Sequence, residues 1–406
     1  MEDTLPKIRG DLEFIPVRHE GRQLILIRDH LGLVQEGRAV PVSLYQVMAL
    51  LDGTREVRDI QAALIREQGG VLVGLEEVAG LLKQLDEAYF LDSERFRSTR
   101  GKIIEDFSAM GERPCSHCGK AYPNDPSELG RRLDEILVGV PAEGSQGRRV
   151  TAFVAPHIDL SVGRQGYAAA YRHARDSAPT RVVVLGVGHQ MENDFFCLTA
   201  KDFETPLGVV RTDKSVVENL TRAGGDIVAP NDFAHRSEHS IEFQFLFLQH
   251  VLEEVSLKVV PVLCGFLQAC LSDYSRQAYL ERAKPFLETL ADVLADRTEE
   301  TLIIAGVDFS HVGPKFGHDR PATQLTDESE AHDRRLMEAL CALDADQFWE
   351  ESRRVNDQFN VCGFSALACL CEVLPASDGK VLHYETWHEE PTRSAVSFGA
   401  MLFEEK

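Results

Sequence analysis

From residue 149 onward, apolar runs of strand length alternate with amphipathic stretches of helical length. The runs 149–155, 181–187, 257–263, 301–307, 381–385 and 395–402 predict strands. Val and Ile prevail in several of them, as expected of strands covered on both faces. The stretches 165–175, 214–223, 237–251, 276–294, 328–343 and 363–374 carry helical spacing. This alternation predicts an α/β domain over 149–406, with a largely parallel central sheet flanked by helices. Residues 1–97 have a different texture. Two short runs, 12–17 and 23–27, predict a strand pair. Helical periods follow at Leu44, Val47, Leu50 and Leu51, then at Val57, Ile60, Ala63 and Leu64, and then at Val78, Leu81, Leu82 and Leu85. The first stops at Asp52-Gly53 and the second at Gly69-Gly70, while the third leads into an extended Tyr89-Phe90-Leu91. Residues 98–148 read as a connector, with polar 98–100, turn chemistry at Asn124-Asp125-Pro126-Ser127 and a small polar stretch at 141–147.

The cadence of 1–97, Leu50-Leu51-Asp52-Gly53-Thr54 followed by Ile60, Leu64, Val78, Leu81, Leu82, Leu85, Phe90 and Leu91, resembles the winged-helix-like peptide-recognition domains of the PqqD type. That resemblance implies a small α+β docking module. A DNA-binding reading of the same unit fails on charge. Its middle helix interleaves Arg55, Arg58 and Arg66 with Glu56, Asp59 and Glu67, so no basic face forms. The whole chain of 406 residues has a formal net charge of −22, which opposes nucleic-acid binding. No apolar run reaches the ~18–20 residues of a membrane span. The start, Met-Glu-Asp-Thr-Leu-Pro-Lys, lacks the basic flank and apolar stretch of a signal peptide. The expected compartment is the cytoplasm. In that reducing setting the nine cysteines are expected as buried thiols, metal ligands or nucleophiles, not a disulfide framework.

Polar residues with chemical potential recur where strands end. The run 149–155 leads into Pro156-His157, 181–187 into Gly188-His189, and 301–307 into Asp308-Phe309-Ser310-His311. Open α/β sheets bind ligands beyond the carboxyl ends of their strands. Three strands each delivering a histidine to that edge therefore suggest one convergent site. His235-Arg236-Ser237-Glu238-His239-Ser240-Ile241-Glu242 opens an apolar helix, with Ser237 as the expected cap. Cys362 precedes Gly363 at another helix start, a position that favours a thiolate. Cys369 and Cys371 lie deeper in that helix and read as core. A single histidine is more often a hydrogen-bonded structural residue, and His19, His30, His173, His250, His318, His332 and His383 take that reading. Cys115-Ser116-His117-Cys118 supplies half of a tetrahedral zinc site, with His117 as an available third ligand. An ordinary turn or a redox pair fits the same spacing.

Two imidazoles and a thiolate suit iron, copper or zinc, whereas magnesium and calcium prefer oxygen. Three protein ligands leave open positions, the mark of a reactive site. At this point the residues resemble a known family. Pro156-His157, Leu185-Gly186-Val187-Gly188-His189, Glu238-His239-Ser240-Ile241-Glu242, Asp308-Phe309-Ser310-His311 and Cys362-Gly363 follow the order seen in the MEMO family. Its prokaryotic branch is called AmmeMemoRadiSam system protein B. The family is similar in fold to LigB-type class III extradiol dioxygenases, which use nonhaem Fe(II). The resemblance implies His157, His189 and Cys362 as metal ligands, with Asp308, His311, Glu238 and His239 as catalytic neighbours. It further implies Fe(II) as the favoured ion, with Cu or Zn as alternatives, and a radical SAM protein and an AMMECR-type protein as partners.

The first motif departs from the family. It continues as Ile158-Asp159-Leu160-Ser161, not Ala-Gly-Tyr, which adds a carboxylate and alters the pocket wall. A Cys in place of the dioxygenases' carboxylate ligand changes the softness of the site and argues against copying ring cleavage across. Three functional readings follow. The first is a metal-dependent redox protein of oxygenase-like character. The second is a non-enzymatic cleft for a peptide, a protein or an unknown small molecule. The third is a cysteine hydrolase with Cys362 as nucleophile and His311 or His239 as base.

Overall fold

The computed structural model describes residues 4–35, 37–67, 69–138, 148–252 and 257–406. Residues through Ala109 form one compact unit, and Met110–Glu389 with Arg393–Lys406 form another. The expected connector at 98–148 is therefore not a unit of its own. A helix from Glu94 runs through Ser108, and the chain from Met110 packs as part of the second unit. The stretch 141–147 lies outside the described residues.

In the first unit, β1 (Leu12–His19) and β2 (Arg22–Asp29) form the expected antiparallel pair, with Leu12 opposite Asp29 and His19 opposite Arg22. A third strand, β3 (Ala39–Pro41), adds to β2 and is too short for its alternation to show. Then come α1 (Val42–Met48), α2 (Val57–Glu67), α3 (Leu75–Glu87) and α4 (Glu94–Ser108). The helices bury the positions that the period marks, among them Val47, Ile60, Val78 and Leu85. Arg9 is fully buried and held by Asp11, Asp29 and the carbonyl of Tyr89, so its charge is met on every side.

The second unit opens with β4 (Glu112–Arg113) and α5 (Pro126–Leu137). The expected turn at 124–127 is instead the start of α5. Asp125 accepts from the backbone N–H of Glu128 at 2.9 Å, and Pro126 occupies the first turn. The remaining elements are β5 (Val150–Ala155), α6 (Arg164–Tyr171), α7 (Ala174–Ser177), β6 (Arg181–Val187), β7 (Phe196–Leu198), β8 (Asp202–Thr205), β9 (Gly208–Thr212), α8 (Lys214–Gly224) and α9 (His239–Val251). After them follow β10 (Lys258–Cys264), α10 (Leu267–Cys270), α11 (Arg276–Ala295), β11 (Thr301–Gly306), β12 (His311–Val312), α12 (Thr326–Ala342), α13 (Ala345–Val355), α14 (Phe364–Val373), β13 (Ser377–Glu389) and β14 (Ser394–Glu405).

The central strands lie in the order β14-β5-β11-β6-β10. The four from β5 to β10 are parallel, whereas β14 runs antiparallel to β5 and pairs β13 on its other side. The fold is thus α/β with a mixed, largely parallel sheet. Successive residues of each parallel strand feed opposite cores. Val183, Leu185 and Val187 meet α8, α11 and α14, while Val182 and Val184 meet α5, α6 and α9. Both faces are apolar because both are covered. No helix among the described residues is long and apolar enough to cross a membrane.

One pair of glycines sets the height at which α9 crosses the sheet. Gly186 and Gly306 lie side by side in register on β6 and β11. A Cβ on Gly306 would come within 2.6 Å of the Ser240 carbonyl oxygen, and one on Gly186 within 2.6 Å of the Ile241 and Ser240 side chains. Only bare backbone lets the first turn of α9 sit this low. Gly306→Ala is expected to cost about 1–3 kcal/mol by overpacking, read as a lower urea midpoint. Gly101→Ala, on α4 where a Cβ meets nothing, is expected to hold or raise it.

Candidate metal centre

Three adjacent parallel strands deliver the site. His157 follows β5, Asp308 follows β11 and His189 follows β6. His157 is buried, and its Nδ1 lies 2.9 Å from the carbonyl oxygen of Gly306. Its backbone N–H donates to Asp308 Oδ1 at 3.0 Å, which ties the end of β5 to the end of β11. Cys362 arrives on the loop ahead of α14, where the N–H of Gly363 donates to the Asp308 carbonyl at 3.1 Å. Its Sγ lies 3.6 Å from His157 Nε2. One ligand atom each from His157, His189 and Cys362 fall within 4.8 Å of one another. These are the three ligands that the motif order implies.

The polar segment 235–242 supplies the support. Glu238, fully buried, caps α9 by accepting from the backbone N–H groups of His239 and Ser240. Ser237, the expected cap, instead accepts from Gln190 Nε2 at 2.9 Å. With a side chain two atoms longer than serine's, Glu238 reaches His189 as well as the helix start. The same carboxylate takes the backbone N–H of His189 at 3.1 Å and holds its Nδ1 at 3.0 Å. Burial pushes the Glu238 carboxyl up, but His189 and His239 outweigh it and hold it well below the usual range. His239 joins the cluster directly. Its ring centroid lies 5.1 Å from that of His157 and stacks 5.0 Å from that of His189, which is itself 5.2 Å from that of His157. His189, Glu238 and His239 also form a second group with ligand atoms within 4.8 Å. In that group the carboxylate is already taken up by three backbone N–H groups and two ring nitrogens, so the His157–His189–Cys362 set is the better cation site.

Burial dominates the electrostatics of the cluster. Burial, reinforced by His239 and His189, drives the His157 imidazole well below its ordinary pKa, so it is neutral. Burial also pushes the Cys362 thiol well above its ordinary value, and Asp308 adds to this. Burial outweighs the helix-start effect expected at this cysteine. Asp308 Oδ2 is 3.6 Å from His157 Nε2, and burial raises its carboxyl to about 7 against the N–H groups of His157 and Ile158. His311, in β12, is lowered to about 4 by burial, with its Nδ1 2.9 Å from the Phe309 carbonyl oxygen. Asp159 does not enter the site. It is exposed and accepts from Ser161 within its own turn.

Sequence reading missed the layer behind α9. Glu242, one turn beyond Glu238, is buried and pairs with the buried Arg113 of β4. Tyr122 also donates to it, as do the N–H groups of Ser116 and His117 at 3.1 and 3.0 Å. Arg113 in turn donates to the backbone carbonyls of His235 and Glu238, each at 2.8 Å. Nothing in the local pattern of a segment read as a connector signals a partner more than a hundred residues away. Burial pushes the Glu242 carboxyl up, but Arg113, His117 and Tyr122 hold it well below the usual range. Its contribution to stability is therefore present above the ordinary glutamate pKa of about 4.3 and is lost as pH falls below it. The sulfurs of Cys115 and Cys118 are joined to each other. Of the readings open for this spacing, the bond fits a redox pair, and in this state the two sulfurs offer no thiolate to zinc.

Removing one partner of the buried pair strands the other. Glu242→Ala is expected to cost about 3–5 kcal/mol in urea unfolding at neutral pH. The wild type should lose much of that advantage on acidification below about pH 4, so the gap between the two proteins narrows there.

The pattern of the Memo-like protein family matches residues 113–402 of this chain. A MEMO1 family protein of Aquifex aeolicus is 30% identical over 401 residues, covering 98% of this chain and 99% of its own length. One from Thermus thermophilus is 28% identical over 354 residues, covering 86% of this chain and 99% of the relative. One from Methanopyrus kandleri is 30% identical over 287 residues, covering 68% and 92%. The matched region contains every residue of the cluster, and the first relative extends the similarity through the N-terminal unit as well. On these grounds the chain belongs to the Memo-like protein family.

Proposed function

We propose that this protein is a metal-dependent redox protein with an oxygenase-like open site, binding Fe(II), with Cu as the alternative, through His157, His189 and Cys362. The observation that carries the reading is the convergence of those ligand atoms within 4.8 Å, with each imidazole held through its Nδ1 by an acceptor. An outer carbonyl or carboxylate at the second nitrogen is how proteins fix the tautomer and aim of a ligating histidine. Mixed imidazole and thiolate donors suit iron and copper. Bound there, the ion would supply redox chemistry and open coordination positions for a small molecule.

The chain's own groups do the rest. Glu238 and the Gly306 carbonyl aim the two imidazoles. Asp308 Oδ2 and the His239 ring, next to the ligands on two sides, are the groups placed to hold or move a proton. The His189 side chain is 30% exposed, so a substrate would approach from that side. The hydrolase reading is weaker. The histidine within reach of Cys362 is His157, not His311 or His239, and burial keeps both imidazole and thiol neutral. A thiol that ionises only beside a cation is a better ligand than nucleophile.

Anaerobic reconstitution with Fe(II), followed by metal quantification, is expected to give a single ion per chain. His157→Ala, His189→Ala and Cys362→Ser should each lose at least tenfold in affinity, the order of effect expected even of supporting residues, about 10–100-fold. Unchanged stoichiometry in all three would remove the reading.

A further inference from the structure

The metal reading leaves one chemistry-bearing motif unused, Cys115-Ser116-His117-Cys118. Its two sulfurs are bonded, with Cα atoms 5.8 Å apart, and both residues are half-buried. A loop this short removes little chain entropy from the unfolded state, so a purely structural cross-link explains it poorly. Its anchoring points elsewhere. The two residues between the cysteines hang on one buried carboxylate. Ser116 donates to Glu242 Oε2 through its N–H at 3.1 Å and its hydroxyl at 2.9 Å, and the His117 N–H donates to Oε1 at 3.0 Å. Arg113 and Tyr122 grip the same carboxylate from either flank. These bonds do not involve sulfur. With the S–S bond open they still keep the two cysteines side by side, so re-closure is an intramolecular step at high effective concentration.

The loop also touches the imidazole cluster. The His117 ring lies 5.7 Å from that of His239 and 5.8 Å from Phe243, which itself packs 5.4 Å from His239. On the other side, Arg113 joins Glu242 to the carbonyl of Glu238, whose carboxylate holds His189. The small ring closes around His117, and His239 is that residue's neighbour.

We propose that Cys115 and Cys118 are a thiol–disulfide exchange site for dithiols, and that the state of the pair alters the setting of His117 against His239. A thiolate of the donor attacks one of the two sulfurs, forming a mixed disulfide and releasing the other cysteine, which takes a proton. The donor's second thiol then displaces the remaining cysteine and closes the donor's own disulfide. Two electrons and two protons pass from the donor dithiol to the protein. The donor is a small dithiol or a protein carrying one, and neither step needs a metal.

The test uses the full chain stripped of metal, so its failure is separable from failure of the metal reading. The protein is equilibrated in graded ratios of reduced to oxidised dithiothreitol, trapped by alkylation and read cysteine by cysteine by mass spectrometry. A parallel arm uses a reduced Cys-x-x-Cys protein as donor, and reduction by either supports the site. Cys115 and Cys118 are expected to pass together from bonded to doubly alkylated in the folded protein, with the other cysteines unchanged. Carbethoxylation of His117 and His239, followed peptide by peptide, is expected to change at least threefold in rate between the two states. In Cys115→Ser and in Cys118→Ser the same rates should ignore the buffer. A pair that opens only after denaturation, thiols that never bond, or zinc held by the reduced pair would each overturn the exchange site. Histidine rates indifferent to the state of the pair would overturn its link to the cluster.

Discussion

An ionised carboxylate taken out of water costs several kcal/mol unless its lone pairs are met, and Glu238 meets that demand with donors from two different elements. His239 and Ser240 give it the free N–H groups that begin α9, and His189 gives it a backbone N–H and a ring nitrogen from the end of β6. Its position is therefore over-determined, and so is everything that it touches. The end of a strand, the start of a helix and the tilt of an imidazole are fixed by one group.

Behind Glu238 stands a second buried carboxylate with the opposite problem. Glu242 faces a guanidinium as deeply buried as itself, and the pair is stable only because peptide N–H groups, a hydroxyl and a phenol complete the shell. The consequence is geometric more than energetic. Buried ion pairs contribute little net stability but tolerate few alternative arrangements. Through Arg113 the segment before α5 is registered against the start of α9, where Glu238 and His239 lie.

The α/β layering was legible because buried parallel strands write themselves as Val- and Ile-rich runs, and 181–187 matches β6 to the residue. The site was legible for a related reason. His157, His189 and Asp308 are adjacent in space because their strands are, and each follows its strand at once. Short pieces escaped. β7, β8 and β9 are three to five residues long, below the length at which a period can be read. Asn124-Asp125-Pro126-Ser127 was misread because a helix cap and a turn use the same residues, and only the amphipathic 126–137 that follows separates them. Arg113 and Tyr122 could not be seen at all, since their significance lies in a carboxylate on another helix. Glu238 in place of Ser237 as the cap shows the same limit: the local rule names the type of residue, and the tertiary partner selects which one.

The two halves of the cluster belong to different layers of the molecule. Cys362 enters with α14, which packs into one hydrophobic core, whereas Glu238 and His239 enter with α9, which packs into the other. The imidazoles of His157 and His189 leave from the strands between. A metal held as proposed by His157, His189 and Cys362 would join strand ends to the loop ahead of α14, acting as a rivet at the rim of the sheet. By mass action its binding energy would be drawn on whenever that rim tries to open, so firmness there would follow the supply of the ion.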